Sequence, residues 1–463
     1  MSVWYNLLSL LSILSTRPVA NQAHAMPLTG TRRWDTMTVK HSWNAVPQNW
    51  ENLGHPPADS SITLYLALKP QHRDALIDTL HEVSDPRHAK YDPLPLIRAR
   101  TNIFVPLPCC RYGEYLSKEQ VAELVAPHPD TLTLVNSWLK DHGIPSSSIS
   151  TTLGGNWLRV SGVPVPQAND ILGASYQLYH HAETNDTVIR TVSYSLPDAL
   201  HGHIQTVAPT TYFGSPRTQW NKPRIHSRAA NAAREKEELV TALSSREEYV
   251  TPAYLRWLYK TMGYEPAAMG KNAIGIVDYS VDYPNQLDLQ AFMEEYRTDG
   301  EKATFIPVIA QLDLKNYDPT RSQPGFEANL DLQLAEAMTY PTPNIFYTTG
   351  GGAIGTTADP YLAWLDFMFK QPTQNLPRTI TTSYYSIENN IPRDYAETLC
   401  DLFAEFGALG ISVLFATGNL GVGLGNCFVE DDIGNVHVLF QPAFPASCTC
   451  GVVLSQFYSG TQK

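Results

Sequence analysis

Glu327 and Asp331 stand four residues apart in the segment Phe326-Glu327-Ala328-Asn329-Leu330-Asp331-Leu332-Gln333. On a helix that spacing brings both carboxylates out on one face, where like charges ordinarily repel. The same face continues through Ala335 and Met338, apolar residues that predict burial. Two buried carboxyls held close share a proton, and the pKa of one is pushed upward. Such a pair suits a general base with its orienting partner, above all in acid. The competing reading is an acidic pair on a solvated helix face.

A second candidate lies in Ile411 to Gly423, ISVLFATGNLGVG, where a buried strand delivers Asn419 into a glycine-rich loop. An amide there donates to a developing oxyanion without titrating. A dinucleotide-binding loop is the rival, but Gly418, Gly421 and Gly423 fall in the wrong order and no clear helix follows. An ordinary strand-to-loop turn is the plain alternative. Other motifs fail on spacing. Gly263 to Lys271 lacks the phosphate-loop separation and has Asn272 in place of Ser or Thr. His81-Glu82 is followed by no second histidine at metalloprotease spacing, and no G-x-S-x-G elbow occurs. His201 and His203 lack a third ligand nearby, and a surface or core role suits them better than a metal.

The elements that must position these residues follow from periodicity. From Thr251 onward, short apolar runs at 273–277, 304–309, 344–347, 379–383 and 411–416 read as strands. Helical spacing fills 287–296, 327–338, 361–369 and 395–406 between them. Such alternation predicts an α/β fold, a parallel sheet with helices on both faces and a cleft at the strands' carboxyl ends. Before it, from Trp43 to about Gly214, strands at 62–68, 157–160 and 187–194 mix with a helix at 71–83 and a Ser117/Gln120 capping box, an α+β unit. Between the two lies a polar stretch, 221–250, carrying Arg224, Arg228, Arg234, Lys236 and Arg246, which reads as a linker or processing region, with a surface helix over 229–243 as a compatible reading.

The chain has 463 residues, 43% hydrophobic and 17% charged, enough for two or three globular domains. Its formal net charge of −12 is the wrong sign for following phosphates, so no nucleic-acid partner is expected. An apolar run from Val3 to Leu14 followed by Ala23-His24-Ala25 reads as a signal peptide over 1–25, with Met26 as the mature start and an extracellular destination; a disordered N-terminus is the alternative. No later stretch is apolar enough to span a bilayer, so no membrane partner is expected. The 6 cysteines admit disulfides in that compartment, but spacing selects no pairing.

Taken together, these residues resemble the sedolisin family of serine-carboxyl peptidases, in particular fungal secreted tripeptidyl peptidases made with an N-terminal activation domain. LYLALKP at 64–70, VSDPRHAKY at 83–91, YGEYLSKEQV at 112–121 and IQTVAPTTYFG at 204–214 resemble the family's pro-domain. VTPAYLRWLY, FEANLDLQ, FYTTGG, ISVLFATGN and FPASC follow in the family's order. The resemblance implies a ferredoxin-like α+β activation pro-domain over 26–220 and a subtilisin-like peptidase domain over 251–463, incomplete at its C-terminal end. It implies a Ser-Glu-Asp triad in which Glu327 is the general base and Asp331 its partner, with Asn419 at an oxyanion position usually held by Asp. Gly350 and Gly351 would line the peptide cleft. Calcium is expected of the family, although no ligand for it is found on this chain.

The resemblance also exposes departures. The family's serine has no counterpart, since Ser459-Gly460-Thr461 comes too early, so the chain as written is expected to be inactive. Residues 92–111 interrupt the pro-domain, and they and the tail 448–463 resemble translated intron, with a genuine insertion loop as the competing explanation. Ser383-Tyr384-Tyr385 replaces the family's Ser-Tyr-Gly pattern, which leaves exopeptidase and endopeptidase specificity both open. The partners implied are a peptide or protein substrate and the chain's own pro-domain, in a monomer. The alternatives are a noncatalytic remnant whose pro-domain binds or inhibits a partner protease, and a carboxylate-pair hydrolase such as a glycosidase.

Overall fold

The computed structural model describes residues 33–85, 113–182, 186–214, 250–267, 270–280, 282–310, 325–349, 359–418, 427–430, 436–448 and 452–454. The signal segment 1–25, the insert 92–111, nearly all of the stretch 221–250 and the end of the tail lie outside those residues. So do Gly350, Gly351 and Asn419.

In the first half, strands β1 (Ser61–Leu68), β2 (Ile149–Thr152), β3 (Trp157–Pro164) and β4 (Ile204–Ala208) form an antiparallel sheet in the order β2-β3-β1-β4. Helices α1 (Arg73–Ser84), α2 (Lys118–Val125), α3 (Pro129–Asp141) and α4 (Val165–Leu172) complete it. Two strand–helix–strand units interleaved in this order make the expected ferredoxin-like arrangement. Side-chain alternation along β1 sorts its residues. Ile62, Leu64, Leu66 and Leu68 face Val135 and Trp138 of α3 and Ala168 and Ile171 of α4. Ala67 and the half-buried Tyr65 lie on the opposite face. The Ser117/Gln120 capping box opens α2, with Ser117 N–H donating to Gln120 Oε1 at 2.9 Å and Gln120 N–H to Ser117 Oγ at 3.3 Å. One expectation is corrected: 187–194 is not one strand but two, Thr187–Arg190 and Ser193–Pro197. Thr191 breaks the run because its hydroxyl donates to Ser193 O at 2.9 Å.

The second half begins with the short helix α5 (Pro252–Leu258), followed by β5 (Ile274–Asp278), α6 (Gln286–Tyr296), β6 (Phe305–Ile309), α7 (Phe326–Thr339), β7 (Asn344–Thr348), α8 (Pro360–Lys370), β8 (Thr379–Thr382), α9 (Arg393–Ala408), β9 (Ser412–Ala416) and β10 (Val452–Leu454). The six strands are all parallel, in the order β6-β7-β5-β8-β9-β10. Ile276 and Phe346 pack on α6 and α7, whereas the next residues, Val277 and Tyr347, join the core with α8 and α9 on the other face. Burial on both faces explains why these strands read as apolar runs rather than alternating ones. The chain leaves β5 toward β6 on one side and crosses from β7 to β8 on the other, so the switch point falls at the carboxyl end of β5.

The two halves share one apolar core. The face of the first sheet left open by α3 and α4 supplies Ala67, Trp157 and Ala208, and α1 and α2 add Leu76, Leu80 and Val121. These pack with Trp364, Leu399, Phe403 and Phe406 of α8 and α9. Polar ties follow the same seam: Arg73 Nε to Asp401 Oδ2 at 2.7 Å, Lys118 Nζ to Phe369 O at 2.8 Å and Leu116 N–H to Ala408 O at 2.8 Å.

Cys400 on α9 is bonded to Cys448, 48 residues away, a closure worth about 4 kcal/mol on loop entropy alone. With β10 paired to β9, this ties Cys448 and Val452–Leu454 to α9 and the sheet.

Phe406 stacks on Phe369 with ring centroids 4.7 Å apart and leans on Trp364. Phe406→Ala is expected to lower the unfolding free energy by about 3–5 kcal/mol. Tryptophan fluorescence and circular dichroism should register loss of both halves in one transition; two separated transitions would show that the core is not shared.

Candidate functional site

The site forms at the carboxyl end of β5. Asp278, the last residue of that strand, is 1% exposed, and its Oδ1 accepts from Ser280 N–H at 2.6 Å and Ser280 Oγ–H at 2.7 Å. With its proton committed to Asp278, Ser280 Oγ accepts from Asp282 N–H at 3.0 Å and faces Tyr384 OH at 3.0 Å. Tyr384 and Tyr279 meet edge to face, with Tyr361 and Trp364 packed on Tyr279. This aromatic floor holds the turn after β5 and keeps water from beneath it.

Glu327 and Asp331 arrive on the first turns of α7. Two contacts fix that helix: Gly325 N–H donates to Tyr283 O at 3.1 Å, and Asn285 N–H donates to Asn329 Oδ1 at 2.9 Å. Asn329 Nδ2 reaches on to Asp288 Oδ2 at 2.8 Å, and the Asn285 side chain caps α6. Gly325 is required by close approach, because a Cβ there would collide with the side chain of Asp282. Glu327 is buried at 8% exposure, and the half-buried Asp331 accepts from Ser383 Oγ–H at 2.7 Å, just past the end of β8. Both acids of the pair therefore turn inward, and the solvated-face reading is excluded.

Charge accumulates here without dispersing. Burial pushes Asp278 up to about 7 despite its hydrogen bonds. Glu327 is raised by burial, then by the negative charges of Asp278 and Asp282. Asp331 is raised by burial and by Glu327. Oδ2 of Asp278 has no hydrogen-bond partner among the described residues. Such a cluster keeps protons bound that isolated carboxyls would have released.

Asp278, Ser280 and Asp282 were not singled out as site residues by sequence, and Ser383 and Tyr384 only as a departure from the family's Ser-Tyr-Gly pattern. The signal for Asp278 was present, since it directly follows the 273–277 strand, where switch-point geometry places ligands. Asn419 lies outside the described residues, but Gly418 before it packs so closely on Tyr385 that a Cβ would meet that ring. His201 and His203 stay in the first half, with His201 Nε2 2.8 Å from Thr38 Oγ1 and His203 Nδ1 2.7 Å from Thr131 Oγ1. Among the described residues no three or more His, Cys, Asp or Glu side chains are arranged to hold a metal ion.

Infrared difference spectra between about pH 4 and pH 7.5 should show carboxyl groups still protonated well above the ordinary range near 4. Asp331→Asn should remove part of that signal and lower the titration of what remains. An unchanged spectrum would place the bound protons elsewhere.

Residues 108–213 match the family described as Pro-kumamolisin, activation domain. Along most of its length the chain is similar to Tripeptidyl-peptidase SED2 of Arthroderma otae, 27% identical over 428 residues, which cover 90% of this chain and 66% of the relative. Probable tripeptidyl-peptidase SED3 of Arthroderma benhamiae is 28% identical over 428 residues, covering 89% of this chain and 65% of the relative. The chain thus spans about two thirds of the length of the curated relatives it matches. Among solved structures, Pseudomonas sedolisin, a serine-carboxyl proteinase complexed with two molecules of pseudo-iodotyrostatin, aligns with 45% of this chain and 54% of its own at 19% identity and a TM-score of 0.34, too partial a match to bear on the site. Residues 108–213 thus match the pro-kumamolisin activation domain, and most of the chain, with its parallel α/β second half, is similar to tripeptidyl-peptidases of the SED2 and SED3 kind.

Proposed function

We propose that the chain is the activation domain and the acid–base portion of a secreted serine-carboxyl peptidase made as a zymogen, acting on peptides in acid. The observation that carries this reading is the inward-facing Glu327 and Asp331 on α7, beside Asp278 at the switch point of the sheet. In it, Glu327 takes the proton of a serine hydroxyl as that oxygen adds to the peptide carbonyl, and returns it to the departing amine. Asp331 orients Glu327 and shares its proton; Asn419 donates to the oxyanion; Gly350 and Gly351 admit the substrate backbone. None of the 463 residues is assigned as the nucleophile.

Raised carboxyl pKa values at first sight oppose an acid-acting base, which must be ionised to work. In a coupled cluster, however, the first proton leaves without opposition from another negative charge, and it is the later ones that are held to higher pH. One ionisation among Asp278, Asp282, Glu327 and Asp331, resting on Glu327, supplies the base, while the protons retained by its neighbours keep further negative charge from it. Activity should accordingly appear in acid and fall as the shared proton is lost.

Secretion is supported by the apolar run and Ala23-His24-Ala25 at the start of the sequence; no helix among the described residues is long and apolar enough to cross a membrane. Calcium is an expectation of the family only. The described residues offer no cluster fitted to it, so no residue is assigned to the ion and no step passes through it. Release of tripeptides from a free N-terminus is proposed from the relatives' names alone.

For the natural full product of the gene, Glu327→Gln is expected to reduce peptide cleavage at about pH 4 by roughly 10²–10⁴-fold. Cleavage that persists in that variant would refute Glu327 as the base. Asn419→Asp should lose activity faster than the natural form on the alkaline side, because a carboxyl donates only while protonated. Superimposable alkaline limbs would remove Asn419 from the oxyanion position.

A further inference from the structure

Ser383 is the first residue past β8, and the strand ladder fixes where it stands. The parallel pairing of β5 with β8 matches Ile274 with Thr379, Gly275 with Ile380 and Ile276 with Thr381, and the same register carried two residues further sets Ser383 level with Asp278. Alternation puts both on the face of the sheet that Ile276 turns to α6 and α7. Tyr384, the next residue, takes the opposite face with Tyr279 and Trp364. Ser383 thus meets the helix that carries the two acids, and its hydroxyl donates to Asp331 Oδ1 at 2.7 Å. No other hydrogen bond to the Asp331 carboxyl occurs among the described residues.

A protonated carboxyl has one O–H to donate and one oxygen left to accept. With Oδ1 accepting from Ser383, the O–H of Asp331 falls on Oδ2. We propose that Ser383 is a positioning residue of the acid–base pair: by donating to Oδ1 it fixes the Asp331 carboxyl so that its proton is carried on Oδ2, for Glu327, and the negative charge rests on Glu327. This inference rests on the peptidase reading, in which Glu327 is the base.

After burial, the groups that act on the pair are other acids: Asp278 of β5 and Asp282 of the following turn raise Glu327, and Glu327 raises Asp331. The Ser383 hydroxyl works against these and lowers Asp331. Charged groups on the neighbouring helices are engaged elsewhere, Asp288 of α6 by Asn329 and Arg256 of α5 by Met262 O. Tyr384 OH faces Ser280 Oγ. Without the serine hydroxyl the Asp331 carboxyl is free to turn, Glu327 loses the donor that holds its charge, and the pair keeps its proton to higher pH. The acid limb of the activity therefore moves toward neutrality.

Two readouts separate this role from a merely structural one. In infrared spectra of the full chain, the carboxyl C=O band that Asp331→Asn removes should rise in frequency in Ser383→Ala, because a carbonyl that loses a hydrogen bond vibrates faster, and its titration should move to higher pH; Ser383→Thr should restore both. In the natural full product of the gene, kcat of Ser383→Ala is expected to fall about tenfold, part of the roughly 10²–10⁴-fold that general-base catalysis contributes, with KM changed less than about twofold and the acid limb displaced to higher pH. A Ser383→Ala profile and carboxyl band like those of the natural form would overturn the positioning role while leaving Glu327 as the base. Activity that survives Glu327→Gln would instead remove the reading on which it rests. Should Ser383→Ala not fold, Ser383→Thr set against Ser383→Val, alike in shape apart from the hydroxyl, decides in the same way.

Discussion

Four carboxyl groups, Asp278, Asp282, Glu327 and Asp331, occupy one corner of the fold, and their mutual repulsion there is the constraint that the surrounding structure has to satisfy. Nothing in an apolar interior stabilises such an assembly unless protons are retained and hydrogen bonds hold each group in place. Ser280 serves Asp278, Ser383 serves Asp331, and the Asn285–Asn329 contact fixes the helix that carries the pair. The acids are brought together by backbone topology, at the end of the central strand where the crossover connections diverge.

The second organising feature is the core common to both halves. The first-half sheet has one face covered by its own α3 and α4 and the other by α8 and α9, so neither half is sealed alone. An activation domain docked in this way is part of the interior. Its release requires exposure of residues such as Trp157 and Phe403, both buried, along with rehydration of the acids on α9. Apolar area holds the seam.

Much of this was legible in the sequence. The strand–helix rhythm after Thr251 gave the parallel sheet because strands covered on both faces are written as short apolar runs, and the Ser117/Gln120 box marked its helix start within a residue. The inward turn of Glu327 and Asp331 was readable from Ala335 and Met338 on the same face. Other features were hidden for physical reasons. Asp278 and Ser383 lie about 50 residues on either side of Asp331 and meet it only through strand order, which a linear pattern does not carry. The split at Thr191 rests on one hydroxyl hydrogen bond, and the pairing of Cys400 with Cys448 on a three-dimensional approach that spacing could not select.

The most direct test of the central claim is a crystal structure of the natural full gene product bound to a peptide aldehyde. The account predicts a serine oxygen joined to the aldehyde carbon and hydrogen-bonded to the Glu327 carboxyl, with Asp331 and Asp278 behind it. A captured serine whose partner is some other residue, with Glu327 remote from the inhibitor, would contradict it.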